Sequence, residues 1–193
     1  MKWRVLILAL VGLCGFGIRA EDLSPTDREV AVVSDFLIEQ GLSPNGGPYV
    51  FQEKTIVING FPDGNVSKEV HEKVPASLIA DCVRKNAAPS RLTKALTEKF
   101  SVRILNAEEE ARQFPKDSNL NHDWKSFHKK YPHSGGLYAI SRVGFSKDGC
   151  YAMLCFEKTY ASLGGECNVF VLKWNPQKAH WDKADLEFNL WIA

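Results

Sequence analysis

The sequence predicts an α+β domain in which N-terminal helices pack on one face of an antiparallel, four-stranded C-terminal meander. Before residue 132, apolar residues recur mostly at the three- and four-residue intervals of amphipathic helices. From residue 137 onward, four segments rich in β-branched and aromatic residues are separated by short turns, which favour antiparallel neighbours. Helices that mostly precede strands, without regular alternation, indicate the α+β class.

Four helices are predicted from their apolar stripes and their capping residues. Ser24-Pro25 can begin the first helix, because a hydroxyl caps free amides and proline fits the first turn. Asn106 with Glu109 has the spacing of a capping box at the start of the third. The predicted helices span residues 24–41, 75–86, 106–115 and 120–131.

Strands are predicted where β-branched and aromatic residues lie between turn signals. Lys147-Asp148-Gly149, Gly164-Gly165 and Asn175-Pro176 separate the four strands of the C-terminal meander. Two further strand candidates lie between the helices. The predicted strands span residues 49–58, 100–105, 137–145, 150–158, 166–174 and 180–192.

Residues 1–20 have the pattern of a cleaved export signal. Two basic residues precede an apolar run over 5–17, and a small residue closes the segment before Glu21. The run is shorter than the roughly 20 apolar residues that a membrane-spanning helix needs. We therefore expect a periplasmic or secreted protein in which residues 21–193 form a single domain, with no membrane span after signal removal.

The charge balance argues against a nucleic-acid partner. Without the three basic residues of the signal, the chain keeps 21 of its 24 basic residues against 23 acidic ones, a net charge of −2. Domains that bind nucleic acid normally carry a basic excess on one face. We expect the partner to be an unknown protein or a small ligand.

The sequence lacks the motifs of the commonest enzyme classes. It contains no GxSxG elbow, Walker loop or GxGxxG motif, and His71-Glu72 is not followed by the second histidine of HExxH. The histidines within residues 122–133 are not spaced to share one helical face. The sequence therefore predicts no catalytic set, no cofactor and no metal ion.

Four cysteines remain after signal removal, and they permit two disulfides, one or none. If the second and third strands of the meander form a hairpin centred near Ala161, Cys155 faces Cys167. Directly opposed residues come close to disulfide geometry. We state the Cys155–Cys167 disulfide as a hypothesis, with Cys82 buried and reduced in the second helix.

Arg142 is the polar residue that most resembles a ligand-binding group. A guanidinium in a strand can present a fixed fork to a carboxylate or a phosphate. A structural salt bridge or an outward-facing, solvated arginine is the alternative. Ser141 beside it and Tyr131 at the end of the fourth helix complete the candidate binding residues.

The C-terminal half resembles a family of exported bacterial proteins with no established activity. The segments YPHSGG, SRVGFSKDGCYAML, LGGECNVFVLKW and LWIA are similar to its pattern of KYPxSxG, SRVGFN, ALVY and a glycine-rich LCG turn. The resemblance is best from about Trp124 to Ile192, and VPASLIADCVRKNAAP is similar to the middle helix of the family. Tyr160 and Gly164 stand where many members have cysteines of that turn. The resemblance implies export and an α+β domain.

Together these observations favour a non-catalytic binding or interaction domain of the bacterial envelope. The export signal, the balanced charge and the lack of a coherent catalytic set support this reading. The alternative is a small envelope hydrolase whose active site is built from dispersed Ser, His and Asp residues.

Overall fold

The computed structural model describes residues 25–58, 72–92, 99–116 and 119–192. The predicted export signal lies outside these residues. The helices are α1 (Pro25–Glu39), α2 (Ala76–Lys85), α3 (Ala107–Gln113) and α4 (Leu120–Lys130). The strands are β1 (Tyr49–Gln52), β2 (Val102–Leu105), β3 (Leu137–Ile140), β4 (Gly144–Phe145), β5 (Tyr151–Ala161), β6 (Gly164–Asn175) and β7 (His180–Ile192).

The α+β class is confirmed, but the sheet is larger than the predicted four-stranded meander. Within the described residues the strands form one seven-stranded sheet in the order β2-β1-β3-β5-β6-β7, with β4 paired to β5. Strand β1 runs parallel to β2 and β3, and the other pairings are antiparallel. The parallel pairs join segments that are far apart in sequence, and local patterns do not encode such pairings.

Helices cover both faces of the sheet, so the expectation of helices on one face is wrong. Leu154 and Phe156 of β5 belong to the core cluster built with α1, whereas Met153 and Cys155 pack with α2 on the opposite face. Helix α4 packs over β1, β2 and β3 in a third cluster. Residues 152–156 are all buried, because α1 packs on one face of β5 and α2 packs on the other.

The predicted strand over residues 137–145 is interrupted. Strand β3 ends at Ile140 and β4 begins at Gly144, which leaves residues 141–143 as a connection between them. Arg142 therefore lies outside a strand, in this connection. The break in the strand places Arg142 beside α1 and the end of α2.

The register of the β5–β6 hairpin differs from the predicted one. Cys155 faces Val169 and Cys167 faces Glu157, because the hairpin turns at residues 162–163, past the predicted centre at Ala161. The two cysteines are therefore diagonal and not directly opposed. The expected Cys155–Cys167 disulfide is wrong for this structure, in which all four described cysteines carry free thiols.

Candidate functional site

A solvent-open cleft lies between α1, the segment 90–92 and the β3–β4 connection, and it encloses a volume of about 40 Å³. The cleft contains two of the three predicted binding residues, Ser141 and Arg142. Its apolar lining comes from Val30, Val33, Leu92, Ile140 and Val143.

A buried asparagine at the end of α2 holds the backbone of Arg142. The Oδ1 atom of Asn86 accepts the Arg142 N–H at 2.7 Å, and its Nδ2 atom donates to the Arg142 carbonyl at 3.0 Å. The same Nδ2 donates to the Cys82 carbonyl at 2.8 Å, inside the last turn of α2. Asn86 is fully buried, so these bonds fix the β3–β4 connection against the helix.

Arg142 forms a salt bridge with Glu29 of α1, as the alternative in the sequence analysis predicts. The distances are 2.7 Å from Nη2 to Oε1 and 3.4 Å from Nε to Oε2. The Arg142 side chain is 41% exposed, whereas that of Glu29 is 10% exposed. Two of the five guanidinium donors are engaged by Glu29, and the exposed part of the group remains accessible to a ligand.

Two cations lie beside Glu29. Lys85 Nζ lies 3.7 Å from Glu29 Oε1, so one carboxylate faces two cations. Arg91 adds a guanidinium whose side chain is 85% exposed and whose Nε is 3.3 Å from Glu53. The exposed charged groups of the cleft are therefore guanidinium groups, to which an anion is attracted.

The hydroxyl groups that line the cleft are hydrogen-bonded within the protein. Ser141 Oγ donates to the Arg142 carbonyl at 2.9 Å and accepts the Cys155 N–H at 2.8 Å. Thr55 Oγ1 lies 3.2 Å from Ser90 Oγ and accepts the Ser90 N–H at 3.0 Å. Ser141 thus links the β3–β4 connection to the backbone of β5.

Asp81 extends the ionic contacts from the cleft to β4. It accepts the Phe145 N–H at 2.8 Å and lies 3.0 Å from Lys85 Nζ, which in turn donates to the Val143 carbonyl at 2.9 Å. Burial acts to raise the pKa of Asp81, but the hydrogen bonds from Phe145, Lys85 and Arg84 together lower the pKa. The ionised carboxylate is therefore the form that stabilises this corner.

Replacing Asp81 with Asn should lower the free energy of unfolding at pH 7 by about 1 kcal/mol, because asparagine still accepts the Phe145 N–H but loses the charge. The pKa of Asp81 is lower in the folded chain, so its contribution is present above the ordinary aspartate pKa. That contribution is lost as the pH falls through the folded-state pKa. Urea unfolding of both proteins across this pH range measures the effect.

The control for this prediction is Glu108→Gln. Glu108 is 86% exposed and lies 3.8 Å from Arg112, so its removal should change the free energy of unfolding by less than about 0.5 kcal/mol. A difference between wild type and Asp81→Asn that stays constant down to pH 2 would contradict the role given to the carboxylate.

Tyr131 is not part of this cleft. It ends α4 and is 8% exposed, and it packs against Phe127 in the third core cluster. Its ring lies over the opposite side of the sheet from α1. Tyr131, predicted as a binding residue, therefore lies apart from the two predicted binding residues of the cleft, Ser141 and Arg142.

Cys82 of α2 and the two cysteines that pack against this helix, Cys155 and Cys167, are buried thiols. Burial raises the pKa of Cys82 and of Cys167 to about 12, and it raises the pKa of Cys155 well above the ordinary thiol value. A thiolate is the nucleophilic form of cysteine. These three side chains are therefore protonated at neutral pH and act as core residues.

Glu29 and Asn86 are the site residues that the sequence analysis missed. Glu29 lies beside the apolar residues of α1 and is only 8% exposed. A charged residue on the apolar side of a predicted helix is the sequence signal that indicates such a site. Asn86 was recognised only as a helix end.

Comparisons with known proteins returned no match: no family model, no curated protein and no solved structure is similar enough to this chain. The resemblance to the exported bacterial family therefore stays a prediction. Among the helices in the described part of the chain, none combines the length and the apolar character needed to cross a membrane.

Proposed function

We propose that this chain is an exported binding domain whose ligand is an apolar molecule carrying a carboxylate, held in the Arg142 cleft. One observation carries the proposal: exposed guanidinium groups stand beside an apolar slot whose hydroxyl groups are bonded within the protein. The export signal predicted at residues 1–20 supports a role in the envelope.

The chemistry of the lining selects this ligand class. The slot walls are valine, leucine and isoleucine side chains, which favour an alkyl or aryl group through the hydrophobic effect. A guanidinium binds a carboxylate through two parallel N–H donors, which fixes the orientation of the ligand. The apolar part would lie between α1 and Leu92, and the carboxylate would lie at Arg142 or Arg91.

The alternative, a small hydrolase, receives less support from this cleft. Its one serine on the β3–β4 connection, Ser141, is engaged by two backbone groups. Among the described residues that line the cleft, none is a histidine, and the one carboxylate, Glu29, is paired with Arg142 and Lys85, so a free base beside a nucleophile is not assembled there. Turnover of ester, glycoside or peptide substrates that one polar substitution abolishes would favour the hydrolase.

Calorimetric titration of the mature chain with octanoate, octan-1-ol and acetate tests the proposal. Octanoate should bind, whereas octan-1-ol lacks the charge, acetate lacks the chain, and each should bind at least about tenfold more weakly. Arg142→Gln and Arg91→Gln should each weaken octanoate binding, and the larger loss, about tenfold or about 1.4 kcal/mol, should come from Arg142→Gln. Circular dichroism melts show whether each variant is folded.

Arg103→Gln is the matched control. Arg103 is 49% exposed and pairs with Glu109 on α3, away from the cleft. Its replacement should leave octanoate affinity unchanged. Equal affinity for octanoate and octan-1-ol, or full octanoate affinity in both Arg142→Gln and Arg91→Gln, would overturn the proposal.

A further inference from the structure

A second cluster of polar side chains lies at the other end of α1. Glu29 and Glu39 are ten residues apart, which is about 15 Å along a helix, so this cluster is separate from the Arg142 cleft. It joins the last turns of α1 to the start of β7. Ligand atoms of Glu39, His180 and Asp182 all lie within 4.8 Å of one another.

Secondary structure brings these side chains together. Asp35 and Glu39 are four residues apart and share one side of α1. His180 and Asp182 are two residues apart on β7, so they project from the same face of the strand. Between them Trp181 is fully buried, and its backbone N–H donates to Asp35 Oδ2 at 2.9 Å.

The imidazole of His180 is oriented as it is in metal centres. Its Nδ1 lies 3.2 Å from Asp35 Oδ1, while its Nε2 lies 3.9 Å from Glu39 Oε1. The backbone N–H of Trp181 holds Asp35 in place. Asp35 engages Nδ1 of the imidazole, and Nε2 faces Glu39. In metal proteins a ligating histidine almost always donates its second N–H to a carboxylate or carbonyl, which sets the tautomer.

The two carboxylates are also held in place. Glu39 Oε1 accepts the Lys183 N–H at 3.3 Å, and Asp182 Oδ2 accepts from Asn175 Nδ2 at 2.7 Å. The hydrogen bonds from Asn175 and Lys178 lower the pKa of Asp182. Lys178 Nζ lies 3.2 Å from both Asp182 oxygens, so a cation already occupies this side of the carboxylate, and the Lys178 side chain is 63% exposed and can move away.

We infer that Glu39, His180 and Asp182 bind one divalent transition-metal ion of the Zn²⁺ class, with Asp35 positioning the histidine. One imidazole nitrogen and two carboxylates form a donor set that suits zinc and its neighbours. Calcium and magnesium prefer a shell made only of oxygen. Local sequence patterns do not reveal this site, because its residues come from two elements about 140 positions apart.

Calorimetric titration of the untagged mature chain with ZnCl₂, after dialysis against EDTA, tests the inference. Wild type should bind one equivalent, and Zn²⁺ should raise the Tm measured by circular dichroism. His180→Ala should weaken Zn²⁺ binding at least tenfold and abolish the Tm shift. Glu39→Gln, a conservative change in a partly exposed side chain, should weaken binding in the same direction, and melts in EDTA confirm that both variants are folded.

His122→Ala is the matched control, because His122 is 81% exposed and also lies beside a carboxylate, 3.9 Å from Asp123. It should bind Zn²⁺ as wild type does, and so should Arg142→Gln, which separates this site from the proposed ligand cleft. The inference is overturned by wild type binding no more Zn²⁺ than folded His180→Ala. It is also overturned by equal affinities for Zn²⁺ and Mg²⁺.

Discussion

Replacing Phe36 with alanine should lower the free energy of unfolding by about 3 to 5 kcal/mol. Phe36 is fully buried in α1, and its ring centroid lies 5.2 Å from that of Phe156 and 4.7 Å from that of Phe170. The substitution removes the contact through which α1 packs on β5 and β6, and the cavity it leaves can collapse only in part. Urea unfolding monitored by circular dichroism measures the change.

Ile38→Ala is the control on the same helix. Ile38 is 46% exposed, and alanine has the higher helix propensity, so this variant should lose less than about 1 kcal/mol. Similar losses in the two variants would show that α1 does not bury Phe36 against the sheet.

Replacing Asn86 with alanine should lower the free energy of unfolding by about 2 to 4 kcal/mol. The side chain makes three hydrogen bonds to the backbone of Arg142 and Cys82, and its loss removes the acceptor of the Arg142 N–H and one donor from each of the two carbonyls. The β3–β4 connection would no longer be fixed against α2. Octanoate binding should therefore also weaken, because Arg142 loses its position in the cleft.

Asn121→Ala is the control for this variant. Asn121 is an exposed residue of α4 that accepts one hydrogen bond from Ser162, and its replacement should cost less than about 1 kcal/mol and leave octanoate affinity unchanged. If Asn86→Ala is as stable as Asn121→Ala, the asparagine does not hold the connection.

Individual elements follow from local sequence. The capping box of Asn106 and Glu109 is present at the start of α3, because both of its hydrogen bonds form within one turn. The predicted strand over 180–192 coincides with β7, since turn residues bound it on one side. Elements of this kind need no information from distant residues.

Long-range arrangement does not follow from local sequence. Strand β1 pairs with β2 across about fifty residues, and no pattern within either strand identifies its neighbour. The β5–β6 turn lies at residues 162–163, past the predicted centre at Ala161, and this displacement moves the partner of Cys155 from Cys167 to Val169, because every partner in a hairpin shifts with its turn.

The candidate site was found only in part for the same reason. Arg142 can be singled out from the sequence, but the role of its side chain depends on Glu29 and Asn86, which lie 113 and 56 positions away. Whether a guanidinium faces solvent, a ligand or a buried carboxylate is decided by packing between elements. The sequence could name the group and its chemistry, while the structure supplied its surroundings.

Amide chemical-shift mapping of the ¹⁵N-labelled mature chain during an octanoate titration tests the ligand cleft most directly. The largest shifts should fall on residues 90–92 and 141–143, should saturate at one equivalent bound, and should be much smaller with octan-1-ol at the same concentrations. Shifts that centre on Tyr131 and α4, or that octan-1-ol reproduces in full, would contradict a carboxylate site at Arg142.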